Sequence, residues 1–392
     1  MLCSVTNIAR LHSSLLDKAN AFSHKLDPAL LQNGVLVGCL ILLKETVNLN
    51  KLKNPVGLLL GNRHTKADSH YKRLIRFFNH PAAQRKLWKG LIGWMIDYIK
   101  GFDGRSRSVF LTLDGTSWQF GQCQIHLLML CLVYRNVSLP LYWLNLGRAG
   151  HSSQQERIRL LRQATKLYPL KGFCLLGDRE FEGREWLQFL TEQGIDFIIR
   201  LPKDTYKADI AAGGRAYSSL LKRALRGRCV SQWFELNGHR YQFVAVCHQS
   251  GPLSPDPLVL LVTSLKWHRR RIADCYRLRW TTECFFKHLK SNGFDLEELG
   301  FRCPNKIRLL LAIVVVVYVI CVSEGLRQFH RIRAKQTSQY EPVRLRQSVF
   351  RYGYSVVANE LVNLTHFIDW LLSRLTKPLK VPKRLFFFNV QH

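Results

Sequence analysis

Ser108-Val-Phe-Leu-Thr-Leu-Asp-Gly-Thr116 is the stretch on which the fold turns. It is a largely apolar run that closes on an acid, and short apolar runs bounded by turn residues read as strands. Downstream, Ile125 to Tyr134 and Val137 to Leu146 are further strand candidates, with Gly121 and Arg135-Asn136 as punctuation. Ser152 or Ser153 is placed to cap a helix running to about Leu167. Gly172-Phe-Cys-Leu-Leu-Gly-Asp178 repeats the pattern of an apolar run ending in an acid. A helix from about Gly183 to Gln193 follows, stopped by Gly194, and then the strand Ile195 to Leu201. Three adjacent strands followed by helix-linked ones form an α/β pattern, here over 106–201.

Beyond residue 201 the rhythm changes. Asn237-Gly238 sits between two strand-like runs within Gln232 to Val246, a hairpin signal. Pro252, Pro255 and Pro257 form a linker, and Leu258 to Leu265 is another apolar strand, so 202–265 reads as a β-rich insertion. The segment 266–326 holds a long basic helix, about Arg269 to Lys290, and an apolar helix near Lys306 to Leu326. Upstream, 1–105 reads as a helical, basic domain, with 15 Lys and Arg against 5 acids in the first 100 residues. Leu31, Val35, Cys39 and Leu42 recur there at helical spacing, and Thr65 is a cap candidate for a helix carrying Lys72, Arg73 and Arg76. Short helices joined by Gly and Asn turns suit a helix-turn-helix-like DNA reader. The C-terminal region, 327–392, is basic and partly helical and closes on Lys377-Pro-Leu-Lys-Val-Pro-Lys-Arg384, a candidate for dimerisation or DNA contact.

Composition narrows the class. The 392 residues carry 58 Lys and Arg against 27 Asp and Glu, a formal charge of +31, yet 47% of the residues are hydrophobic. A foldable chain with scarce acids is not a disordered basic tail, and its natural partner is a polyanion, nucleic acid above all. The 11 Cys include no Cys-x-x-Cys and no zinc-ligand spacing, which speaks for reduced thiols in a cytosolic setting. The first 20 residues lack a basic region followed by an apolar run, so no signal peptide is expected. The strongest apolar run, Leu309 to Val322, has 14 residues, short of the roughly 18 to 20 of a membrane span, and reads as a core helix.

Where acids are rare, their positions carry information. Asp114 and Asp178 each close a strand, and Glu283 stands in a helix otherwise rich in Arg, Lys and aromatics. Three converging carboxylates are suited to two divalent ions about 3.5–4 Å apart, and hard oxygen ligands favour Mg²⁺. Around Glu283 the chain reads Tyr276-x2-Arg279-x3-Glu283-x6-Lys290. Offsets of 3, 4 and 7 place the four side chains on one helical face. Buried unpaired, these groups are costly. Facing DNA they make sense, with Glu283 holding metal and Arg279, Lys290 and Tyr276 holding phosphate oxygens.

With these residues in hand, the chain resembles the insertion-sequence DDE transposases of the family-4 group. The Tyr276-Arg279-Glu283-Lys290 signature carries the resemblance, together with Leu113-Asp114-Gly115-Thr116 and Asp178-Arg179-Glu180-Phe181. The match at motif level spans about 108–292. The resemblance implies an α/β, ribonuclease-H-like catalytic core, whose strand order agrees with the one above, with a β-rich insertion and flanking helical N- and C-terminal regions. It also implies Asp114, Asp178 and Glu283 as catalytic metal ligands, with Glu180 and Glu182 outside the ligand set, and two Mg²⁺ ions for which Mn²⁺ substitutes. The implied activity is cut-and-paste transposition: binding of terminal inverted repeats, end cleavage through a hairpin, and joining of 3′ ends to target DNA. A homodimer in the synaptic complex and a cytoplasmic, nucleoid-associated location follow from the same resemblance, with no membrane role. The family flips a base onto a Trp of the insertion. Trp233 lies in the insertion and Trp267 just after it, so both are candidates for that role. Two other readings remain open, a nuclease on the same core without strand transfer and a catalytically inactive DNA-binding derivative.

Overall fold

The computed structural model describes residues 27–99, 109–120, 123–134, 137–148, 150–247, 256–335 and 347–362, except 63 and 169, and a few positions from 366 to 373. The first 20 residues, Pro252, Pro255 and the basic stretch 377–384 lie outside the described residues. The chain divides into two compact units. One gathers the chain up to Asp103, Gln119–Cys123 and the chain from Phe286 to Leu385; the other gathers Gly104–Trp118 and Gln124–Phe285.

The second of these units is built on a mixed sheet of eight strands among the described residues, in the order β3-β2-β1-β4-β5-β8-β7-β6. Its strands are β1 (Phe110–Phe120), β2 (Cys123–Tyr134), β3 (Val137–Asn145), β4 (Cys174–Gly177), β5 (Asp196–Arg200), β6 (Val230–Leu236), β7 (His239–Cys247) and β8 (Leu258–Thr263). β1, β4 and β5 run parallel, whereas β2 with β3 and β5 through β8 to β6 pair antiparallel. The parallel strands are buried on both faces and read as continuous apolar runs, as in Leu175, Leu176, Phe197, Ile198 and Ile199. A helix over Gln154–Thr165 links β3 to β4, and Arg184–Glu192 links β4 to β5. Ser153 caps the first of them in a capping box with Glu156.

Asp114 does not end β1, which continues to Phe120. What ends there is the parallel ladder, whose last register pair is Leu113 opposite Gly177, and β1 runs on beyond its short partner β4. In the segment 202–265, helices Lys207–Ala212 and Tyr217–Leu225 precede strands β6, β7 and β8. Its strands extend the core sheet, because β8 pairs with β5. The expected hairpin is present, with Asn237 at φ 50° and Gly238 at φ 75°, the left-handed pair that a tight two-residue turn demands. Finally, the basic helix is not one regular helix. It runs Arg269–Tyr276, tightens to a 3₁₀ turn at Arg277–Arg279, and resumes over Trp280–Lys290.

The other unit is helical. Pro28–Lys44 is capped by Asp27 despite Gly34 and Gly38, and Ala67–Asn79 begins after Lys66, so Thr65 is not its cap. Trp88–Ile99, Pro304–Lys335 and Val349–Leu361 are its other long helices among the described residues. Pro304–Gln328 is long and apolar enough to cross a membrane, but 89% of its most apolar window is buried within the protein, as a core helix requires.

Candidate active site

Asp114 and Asp178 are placed by the parallel ladder. Each is the residue immediately after the last register pair, Leu113 opposite Gly177. Gly177 allows the turn: a Cβ there would lie 3.0 Å from Phe181 Cβ and 3.2 Å from Ile199 Cγ1. Asp178 Oδ1 accepts from the Arg179 backbone N–H at 2.7 Å, and Asp114 Oδ1 accepts from the Gly115 N–H at 2.8 Å. The helix Trp280–Lys290 brings Glu283 to the same region, and Arg279 joins the acids. Its guanidinium donates to Asp114 Oδ2 at 3.0 Å and, from its other NH₂, to Glu283 Oε1.

The electrostatics of the group are those of crowded negative charge. Burial is the main cause that pushes the Asp114 carboxyl up to about 6; Arg279 opposes it, and Asp178 and Glu283 add to it. Burial alone would lower the Arg279 guanidinium, but Tyr276, Asp178, Asp114 and Glu283 together hold it above its ordinary value. The Tyr276 hydroxyl is buried beside Arg279, and burial raises its pKa. Among the described residues no three His, Cys, Asp or Glu side chains stand in ligation geometry around one point; the Arg279 guanidinium bridges Asp114 and Glu283 instead. Burial and the neighbouring carboxylates work against the charge of Asp114, and hard oxygen donors of this kind suit a divalent metal.

Tyr276, Arg279 and Glu283 thus lie with both aspartates, whereas Lys290 belongs to the other compact unit, where its ammonium lies 3.7 Å from Glu297. Trp233 is half-buried on β6 under the Arg240 guanidinium, 5.3 Å from its ring. Trp267 packs edge-on against Phe110 and lies 4.0 Å under Arg271. Glu180 is engaged elsewhere, accepting from Ser152 Oγ at 2.8 Å and bonded to His151 Nδ1 at 2.9 Å. Burial works to raise its carboxyl, and these hydrogen bonds outweigh it, leaving the pKa below the ordinary value.

Sequence reasoning passed over three neighbours. Arg179 and Arg200 both donate to the Asp256 carboxylate, the second at 3.2 Å, and each has a buried Nε without a partner among the described residues. Arg200 feels Asp178, Tyr276 and Arg279, which puts this pair of arginines beside the acids. Trp280, next to Arg279, is 50% exposed, the largest aromatic surface among the described residues. An acid following the proline linker and a Trp following the signature arginine were the available signals.

No curated protein matches the chain. A solved structure with partial likeness is a piggyBac transposase in a synaptic complex with hairpin DNA, 12% identical, with a TM-score of 0.42 over 97% of this chain and 87% of that one. The sequence model of the transposase DDE domain matches residues 102–320, a stretch that contains both aspartates, Arg279 and Glu283. That match takes in more than half of the 392 residues, and the chain belongs to the transposase DDE-domain family.

Proposed function

We propose that this chain is a DNA transposase of the cut-and-paste type, within the family-4 group, built on a ribonuclease-H-like core. The observation that carries the reading is the convergence of Asp114, Asp178 and Glu283 on Arg279 at the end of the β1–β4 ladder. Asp114, Asp178 and Glu283 are proposed to hold two Mg²⁺ ions, with Mn²⁺ as a substitute. A divalent pair bound there supplies the Lewis acidity that activates water or a 3′-hydroxyl and eases departure of the leaving oxygen. The chain's own residues do the rest. Arg279, released from its carboxylates, presents its planar fork to a phosphate, and Tyr276 offers its hydroxyl beside it. Lys290 adds a point charge for a further phosphate. Arg179 and Arg200 offer a second anion-binding pair next to Asp178. Trp280 presents an exposed ring on which an unstacked base can rest, alongside the earlier candidates Trp233 and Trp267.

On this reading the protein binds the terminal inverted repeats of its element, cleaves each end through a hairpin and joins the 3′ ends to target DNA. A homodimer in the synaptic complex and a cytoplasmic, nucleoid-associated location are parts of the same proposal, as is the division into 1–105 for DNA binding, 106–201 and 266–326 for the core, 202–265 for the insertion and 327–392 for dimerisation or DNA contact. The test is to incubate purified protein with Mg²⁺, pre-cleaved end duplexes and a supercoiled target. Joined products support the transposase. Cutting without joining marks a nuclease, and binding without cutting marks an inactive derivative.

A further inference from the structure

Between the sheet and the helix Trp280–Lys290 runs a chain of four buried hydroxyls. Thr112 Oγ1 lies 2.5 Å from Thr282 Oγ1, Thr282 Oγ1 lies 2.8 Å from Ser138 Oγ, and Ser138 Oγ lies 2.7 Å from Thr281 Oγ1. Thr281 Oγ1 donates to the Leu278 carbonyl at 2.7 Å. Thr112, Ser138 and Thr282 are wholly buried and Thr281 nearly so. A hydroxyl has one proton to give. The proton of Thr281 goes to Leu278, so Ser138 donates to Thr281, Thr282 donates to Ser138, and Thr112 donates to Thr282. The chain therefore has a single direction, from β1 through the helix and β3 to the 3₁₀ turn, and hydrogen bonds aligned in this way polarise one another.

Its two ends, Thr112 and the Leu278 carbonyl, and its central Thr282 adjoin the acids and their arginine in sequence. Thr112 stands two residues before Asp114 on the same face of β1, Thr282 immediately precedes Glu283, and Leu278 immediately precedes Arg279. We infer that Thr112, Ser138, Thr281 and Thr282 are positioning residues that fix the spacing between Asp114 on the sheet and Glu283 and Arg279 on the helix. Apolar packing alone would hold a helix on a sheet with some freedom to slide. A directional chain with every member satisfied admits one register. The inference rests on reading Asp114 and Glu283 as metal-holding carboxylates.

Thr282→Val keeps the side-chain shape and removes the central relay. Thr112→Val removes only the first donor and leaves the rest of the chain intact, and Thr282→Ser keeps the hydroxyl. The full-length variants are titrated with Mn²⁺ alone, followed by electron paramagnetic resonance, and their melting temperatures and first-strand nicking kinetics are recorded. The expected result is an Mn²⁺ affinity about tenfold weaker in Thr282→Val. Thr112→Val loses less, and Thr282→Ser returns to near wild type. The kcat for nicking should fall in step while KM for DNA ends stays level. A lower melting temperature with unchanged Mn²⁺ affinity would reduce the hydroxyls to packing and overturn the inference. If Thr282→Val does not fold, equal losses in Thr112→Val and Thr282→Ser would overturn it equally well. Asp114→Ala and Glu283→Ala go into the same titration. Should both bind Mn²⁺ normally, the metal-site reading itself fails and takes the inference with it; should they lose it while Thr282→Val does not, only the inference fails.

Discussion

Asp114 and Asp178 stand as neighbours across two parallel strands, each one residue past the pair formed by Leu113 and Gly177. The last register pair of the ladder sets the two backbone positions side by side, and Glu283 reaches them from a helix. Asp114→Ala, Asp178→Ala and Glu283→Ala are each expected to abolish Mg²⁺-dependent nicking. DNA-end binding should stay within about twofold, since it rests on Lys and Arg contacts to phosphate. Gel-shift and nicking assays on the same preparations check this, and substantial cleavage by any one variant removes that residue from the site.

A pH dependence follows from Asp114, whose carboxyl burial pushes up to about 6 from its ordinary 3.8. Between those values the folded, metal-free chain keeps a proton that the unfolded chain has lost. The stability that Asp114 contributes is therefore present at low pH and fades as the pH rises through about 6. In EDTA, the melting temperature of the wild type should lose ground to Asp114→Asn between pH 4.5 and 7.5. Parallel curves would contradict the shift. Metal binding needs the carboxylate, so Mg²⁺ affinity should weaken below pH 6.

In the metal-free protein Arg279 is the counter-ion of Asp114 and Glu283, and on the proposed reading it turns to a phosphate once metal binds. Removing Arg279 leaves Asp114 and Glu283 without the cation they share, so Arg279→Ala should cost about 3 kcal/mol of stability in EDTA and recover much of it on adding Mg²⁺. In the presence of metal it should still nick the first strand but stall before double-strand release. Arg279→Lys should rescue only in part, because an ammonium lacks the two-pronged contact. Differential scanning calorimetry and a denaturing gel time course read the two effects separately. Loss of first-strand nicking as complete as in Glu283→Ala would show that the residues act as one unit.

Asp256 pairs with both Arg179 and Arg200, and on the proposed reading it holds the place of a phosphate. Asp256→Asn should free both guanidiniums, tighten binding to short duplexes at low salt, and steepen the slope of log affinity against log salt by about 1. Fluorescence anisotropy across a salt series decides it. An unchanged slope would mean that the two arginines hold the linker and nothing else.

Much of this was legible in the chain. β2 to β5 fall within about two residues of their expected bounds because buried strands are apolar runs that local composition reveals, whereas β1 runs on to Phe120. The Asn237-Gly238 hairpin is a local signal too. What escaped was non-local or weakly marked. Arg200 and Asp256 meet across 56 residues and Thr112 and Thr282 across 170, distances over which no periodicity speaks. The helix Lys207–Ala212 begins at Tyr206 in a left-handed conformation without a side-chain cap, so no start signal announces it. The 3₁₀ turn at Arg277–Arg279 is a local tightening that residue spacing does not encode.

The continuity of the sheet bears on what the chain can tolerate losing. Since β8 zips onto β5, the segment 202–265 is structural planking and not an annexe. A truncated enzyme lacking it would bare the flank of β5, with Phe197, Ile198 and Ile199 alongside, and an open apolar edge of that kind invites pairing with any passing strand. Such a miniature should emerge from size-exclusion chromatography as aggregate, not as a slimmer nuclease.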